Sequence, residues 1–209
     1  MSVVPWWQAL EIRPEITSAS GQIEDVQMSL GSAVNPPEGV SVPAYADPAY
    51  YGQITHPTGR LTALLADIAI RLAGGAGGFT KAGALTRLNQ GMGGGKSHAE
   101  IGAWHLAAHP GQFLATDIGQ AVAAAAAEKL GKDLPGDLNL PLVVVLDLDN
   151  STPGVRREDV DGPYARSLYE KFLWRLFGGN AERFTQFRAH WSDKTKIKEA
   201  LAIQGRPVL

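Results

Sequence analysis

Gln90-Gly91-Met92-Gly93-Gly94-Gly95-Lys96-Ser97-His98 is the stretch on which the reading of this chain turns. Glycines let consecutive backbone N–H groups curl around an anion without side-chain clash. A helix that begins just after them adds further N–H groups and the positive end of its dipole. A lysine there neutralises phosphate oxygens, and the hydroxyl that follows reaches Mg²⁺. Gly95-Lys96-Ser97 supplies these last three elements in order. The common pattern G-x-x-x-x-G-K-[ST] wants a glycine six residues before the lysine. That position is Gln90, and the glycine stands one residue later, at Gly91. The candidate nucleotide-binding residues are therefore Gly91, Gly93, Gly94, Gly95, Lys96, Ser97 and His98, with Ser97 as the Mg²⁺ ligand and ATP as the nucleotide.

The flanks set the fold expectation. Before the loop, Ala84-Leu85-Thr86-Arg87-Leu88 alternates and predicts a short strand. After it, Ile101, Trp104, Leu106 and Ala107 predict a helix that ends before Pro110. Further upstream, Thr58 is a candidate N-cap for a helix carrying Leu61, Leu64, Leu65, Ile68 and Leu72, stopped at Gly74-Gly75. Downstream, the alanine-rich residues 117–130 predict a helix of strong intrinsic propensity. Leu140–Leu148 is apolar without alternation, the pattern of a parallel strand covered on both faces. Residues 150–162 read as loop, Tyr164–Phe177 as an amphipathic helix, and Ala181–Trp191 and Lys194–Ile203 as two shorter ones. This order predicts an α/β fold, a P-loop NTPase with a mostly parallel sheet flanked by helices. It occupies residues 60–209. Residues 1–59 hold seven prolines and Tyr45, Tyr50 and Tyr51. They predict an irregular arm, without long helices, that packs on the neighbouring body. Within it, Ile23–Leu30 reads as a short helix or strand.

Composition narrows the classes of function. The chain has 209 residues, and 44% hydrophobic with 19% charged residues is ordinary for a globular protein. A net charge of −2 gives no global field for nucleic acid or anionic lipid. No cysteine is present, which excludes disulfides, thiolate metal sites and a thiol nucleophile. No segment reaches the roughly 18 apolar residues of a membrane helix, and Met1–Leu10 is a poor signal peptide. The expected location is the cytoplasm.

Other residues offer chemistry. Asp147, at the end of the apolar run, is the candidate magnesium-side acid of a hydrolytic site. The competing reading is a carboxylate that caps the strand end. His105 and His109 are four apart, yet Leu106-Ala107-Ala108 between them lacks the glutamate of a zinc hydrolase. Solvated or helix-terminal histidines are the expectation. Arg156-Arg157 reads as a solvated pair opposite Glu158 and Asp159. Arg166, Lys171 and Arg175 share a helix with Tyr169, Phe172 and Trp174, whose aromatics are expected to anchor it. Trp6-Trp7 reads as a buried anchor of the arm.

Taken together, Pro5-Trp6-Trp7, the helix Leu61–Leu72 with Ala73-Gly74-Gly75, the loop Gly93–His98, the helix Ile101-Gly102-Ala103-Trp104-His105-Leu106-Ala107 and Val145-Leu146-Asp147 resemble a family. It is the group of large bacterial and archaeal AAA-like ATPases that includes the big ATPase of the phage growth limitation and BREX type 2 defence systems. Only the loop and the helix after it are specific. The family's loop also resembles x-G-G-G-K-[ST]-H, so glutamine at position 90 counts for less. The resemblance implies ATP and Mg²⁺ as ligands, a phage-defence setting, and a homo-oligomer or other defence proteins as partners. It places the hydrolytic acids on a later strand of apolar residues followed by Asp-Glu, and not at Asp147. Gly205-Arg206-Pro207-Val208-Leu209 looks like the approach to that strand. The expectation is then an incomplete domain that binds nucleotide, with ATPase activity belonging to the longer protein. The alternative class is a non-enzymatic interaction module whose glycine loop is structural.

Overall fold

The computed structural model describes residues 5, 8, 28–36, 42–74, 80–83, 85–89, 93–135, 138, 141–146, 162 and 165–209. The regular structure among them is helical. In chain order it comprises α1 (Leu30–Val34), a 3₁₀ turn (Ala44–Ala46), α2 (Pro48–Ile54), α3 (Gly59–Ala73), α4 (Lys96–Ala108), α5 (Pro110–Leu114), α6 (Asp117–Leu130), α7 (Leu168–Leu176), α8 (Ala181–Phe187) and α9 (Lys194–Ala202).

The expected mostly parallel sheet is therefore overturned. The strand pairing among the described residues is one isolated parallel bridge, Leu142 with Val208. It is held by Leu142 N–H to the Pro207 carbonyl at 2.8 Å and Leu209 N–H to the Leu142 carbonyl at 2.9 Å. The run before the glycine loop pairs with nothing among the described residues, and Leu85 is 89% exposed. Its alternation carries Thr86 and Arg87 into solvent and only Leu88 is half-buried. The apolar run 142–145 has a different explanation from two-faced burial in a sheet. Leu142 and Val144 pack on α7–α9, whereas Val143 packs on the larger cluster built by α2–α6. An extended segment wedged between two helical clusters also needs apolar residues on both sides.

The larger cluster forms where α3 lies against α6 and α4. Leu65, Ile70, Ile101, Leu106, Phe113 and Ile118 are fully buried in it. Each such side chain contributes about 1.5–3 kcal/mol relative to exposure. Ala66, Ala69 and Ala126 keep the α3–α6 approach close. Caps fix the helix ends. Gly74 (φ +72°) terminates α3 and Gly131 (φ +71°) terminates α6, while Thr116 Oγ1 accepts from Gly119 N–H at 3.2 Å to start α6. Thr58 stands at the N-cap of α3 as its position predicts, but its side chain makes no cap bond. In the smaller cluster, Leu173 and Leu176 of α7 meet Phe184 and Phe187 of α8. Ser167 and Glu170 close a reciprocal capping box at the start of α7.

Residues 28–36 and 42–54 pack into the larger cluster through Met28, Leu30, Ala33, Tyr45, Tyr51 and Ile54. Tyr51 is fully buried and Tyr45 nearly so. Asp47 accepts from Tyr50 N–H at 2.7 Å, and Pro48 takes the first helical position, where its missing N–H costs nothing. No described helix is long and apolar enough to cross a membrane.

Candidate functional site

Gly93 (φ +74°) and Gly95 (φ +75°) adopt the left-handed conformation, and a Cβ at either would meet open space. Backbone conformation, not crowding, is what asks for glycine there. Gly95 is the N-cap of α4, and helix bonding starts with Ala99 N–H to the Gly95 carbonyl at 3.0 Å. No side chain caps the first turn. The exposed glycines thus lead directly into a 13-residue helix whose N-cap supplies no side-chain bond. Lys96 and Ser97 are the first two helical residues, and both are half-buried.

The third residue of α4, His98, is held from the other side. Tyr51 donates its hydroxyl to the His98 carbonyl at 2.8 Å. Thr55 gives its proton to the Tyr51 carbonyl at 2.6 Å, so its oxygen takes the His98 Nε2–H at 2.9 Å. His98 Nδ1 lies 3.0 Å from the Met28 sulfur. Burial raises Tyr51 to about 12, opposed by its hydrogen bond with Thr55, and burial lowers His98.

A cavity of about 870 Å³ opens beside the loop, between Gly94–Gly95, His56, Arg60, Leu64 and Leu88. Asp67 also reaches it, but its carboxylate is engaged by Lys129 Nζ at 2.6 Å. The cavity itself offers the backbone of Gly94 and Gly95 and the side chains of Arg60, His56 and His98. Lys96 and Ser97, the first two residues of α4, follow Gly95 in the chain but do not line it. No cluster of three histidine, aspartate or glutamate side chains that could hold a metal occurs among the described residues.

The structure brings Gly93, Gly94, Gly95, Lys96, Ser97 and His98 together at one place. Gly91 and Asp147 lie outside the described residues, as do Trp6-Trp7 and Arg156-Arg157. His105 departs from the expectation of a solvated residue. It is fully buried, and its Nε2 contacts the Tyr45 carbonyl at 3.0 Å. His109 is half-buried and sits at the C-cap of α4. On α7, Lys171 is buried at 3% exposure and Arg175 donates to the Val145 carbonyl. Trp174 meets Phe184 edge-on, with ring centroids 5.5 Å apart. Those side chains brace the smaller cluster.

Sequence reasoning missed the roles of Tyr51 and Thr55. The signal was present: Asp47-Pro48 is an N-cap followed by proline at the first helical position, which marks a helix start. No family model matches the chain, and neither does any curated protein or solved structure.

Proposed function

We propose that the loop 93–98 and the start of α4 bind the phosphates of Mg²⁺–ATP, as the nucleotide-binding element of an AAA-like ATPase. The observation that carries this reading is the conjunction at Gly95 and Lys96. A left-handed glycine caps the helix without a side chain, and the lysine follows as the first helical residue. Gly93, Gly94 and Gly95 supply backbone N–H groups, Lys96 the positive charge and Ser97 a hydroxyl for the metal. Mg²⁺, when bound, neutralises phosphate charge. The cavity beside the loop receives the rest of the ligand. Placement in a phage-defence system, with a homo-oligomer or other defence proteins as partners, is proposed on the family resemblance of the quoted motifs alone.

The test is thermal unfolding of the wild type and Lys96→Ala, each with and without Mg²⁺–ATP. Ligand at 100 times its Kd stabilises by about 2.7 kcal/mol. For a domain of this size that raises Tm by about 5–10 °C. The wild type shifts and the variant does not. If neither shifts, the loop is structural and the interaction-module reading takes its place.

A further inference from the structure

The cavity beside the glycine loop is larger and more apolar than a phosphate chain needs. Its volume is about 870 Å³. Sites for whole small molecules run from about 300 to 1,000 Å³. Leu61 and Leu64 of α3, Leu88 before the loop and Ala99 of α4 supply apolar walls. Phosphate oxygens gain nothing against leucine and lose water there. Apolar walls beside Gly94 and Gly95 suit a ligand that carries an apolar face next to its phosphates.

The cavity is also graded in polarity. His56, Thr58 and Arg60 are exposed, whereas Leu61, Leu64 and Leu88 are half-buried. The polar side chains thus stand at the mouth and the leucines deeper. Two acidic or basic side chains line the cavity, Arg60 and Asp67. The Asp67 carboxylate is met by Lys129 Nζ at 2.6 Å. Arg60 makes no hydrogen bond or ion pair among the described residues. The uncommitted charge at the mouth is therefore positive, which complements an anionic ligand. It is also flat, and a guanidinium stacks on planar rings where an ammonium does not.

We propose that this cavity is a nucleoside chamber. The base lies on the wall of Leu61, Leu64 and Leu88, and the Arg60 guanidinium stacks on its other face. The phosphates leave past Gly94 and Gly95 toward Lys96 and Ser97, which stand outside the cavity. The chamber rests on the reading of 93–98 as a phosphate site, and it adds the residues that choose what the phosphates are attached to. The ligand class is a nucleotide held by its aromatic base as well as by its charge. Arg60 is then a specificity-determining residue, supplied by α3 and not by the loop.

The experiment is isothermal titration of the full chain with Mg²⁺–ATP and with Mg²⁺–tripolyphosphate, which carries the phosphates and no base. The wild type binds ATP at least about tenfold more tightly than tripolyphosphate, because only ATP buries a ring against the leucines. Arg60→Lys keeps the charge and removes the flat face. It weakens ATP about tenfold and leaves tripolyphosphate unchanged. Leu64 belongs to neither apolar cluster, so Leu64→Gln alters the chamber wall and spares the core. It too weakens ATP about tenfold and not tripolyphosphate. Tripolyphosphate bound as tightly as ATP by the wild type overturns the chamber and leaves the phosphate reading standing. Unchanged ATP affinity in either variant does the same. Binding of neither ligand overturns both. If a variant does not fold, the comparison of the two ligands on the wild type decides.

Discussion

The Tyr51 hydroxyl donates to the His98 carbonyl at 2.8 Å, joining a proline-initiated helix of the N-terminal region to the first turn of the helix that follows the glycine loop. The phenol is fully buried, and burial raises it to about 12. Its ordinary value in the unfolded chain is 10.0. The folded state thus favours the neutral form. The associated stability is complete below pH 10 and is lost as pH rises from 10 through 12, amounting to about 2–3 kcal/mol. Spectrophotometric titration checks this. The last phenol to ionise should do so together with alkaline unfolding, and Tyr51→Phe should remove that step.

Glycines of this chain divide by what surrounds them. At Gly119 a Cβ would lie 2.0 Å from the Phe113 carbonyl oxygen, which is backbone and cannot yield. Gly119→Ala should cost about 3 kcal/mol or more. Gly59, the first residue of α3, has nothing within 4 Å. Gly59→Ala should stabilise by about 0.4–1 kcal/mol through the unfolded chain. Urea denaturation of the two variants measures both signs.

The glycines of the loop are a third kind. Gly95→Ala meets no atom, yet φ +75° is left-handed. A penalty of about 1–2 kcal/mol follows, or about 2–8 °C in Tm. Its effect on Mg²⁺–ATP binding should exceed that of Gly59→Ala, which lies outside the loop. Calorimetry with and without nucleotide separates the two quantities.

Glu170 anchors α7 and gives a pH dependence of opposite sense to Tyr51. Burial alone would raise its pKa. Hydrogen bonds from the Ser167 and Arg166 backbone, the Ser167 hydroxyl and the charge of Arg188 outweigh that and lower it. Its contribution is present above the ordinary carboxylate value of 4.5 and is lost as pH falls through the depressed folded value. Glu170→Gln should flatten the acid limb of the stability curve, measured by urea midpoints between pH 3 and 6.

Much of the helical structure was legible in the residues. The alanine-rich run gave α6 its bounds, Asp117 to Leu130, because strong propensity coincides with the Thr116 cap and Gly131 stop. Gly74 ended α3 for the same kind of reason. The strands were not legible, because periodicity reports burial and not pairing. Leu142, Val143 and Val144 are apolar since two helical clusters enclose them, and Leu85 alternates with polar neighbours while standing in solvent. Among the described residues of 28–54 the helices are short, as the prolines predict, and Pro48 itself starts the seven-residue α2. Of the candidate site, the loop glycines and Lys96 were found from spacing. Tyr51 and Thr55 were not, since their link to His98 spans more than 40 residues of chain and only tertiary packing reveals it.

Isothermal titration of Mg²⁺–ATP into the wild type and Lys96→Ala tests the central claim most directly. The account predicts saturable, single-site binding to the wild type, weakened at least tenfold in a variant that still shows the wild-type melting transition. Equal affinity in the two proteins, or no binding to either, would contradict it.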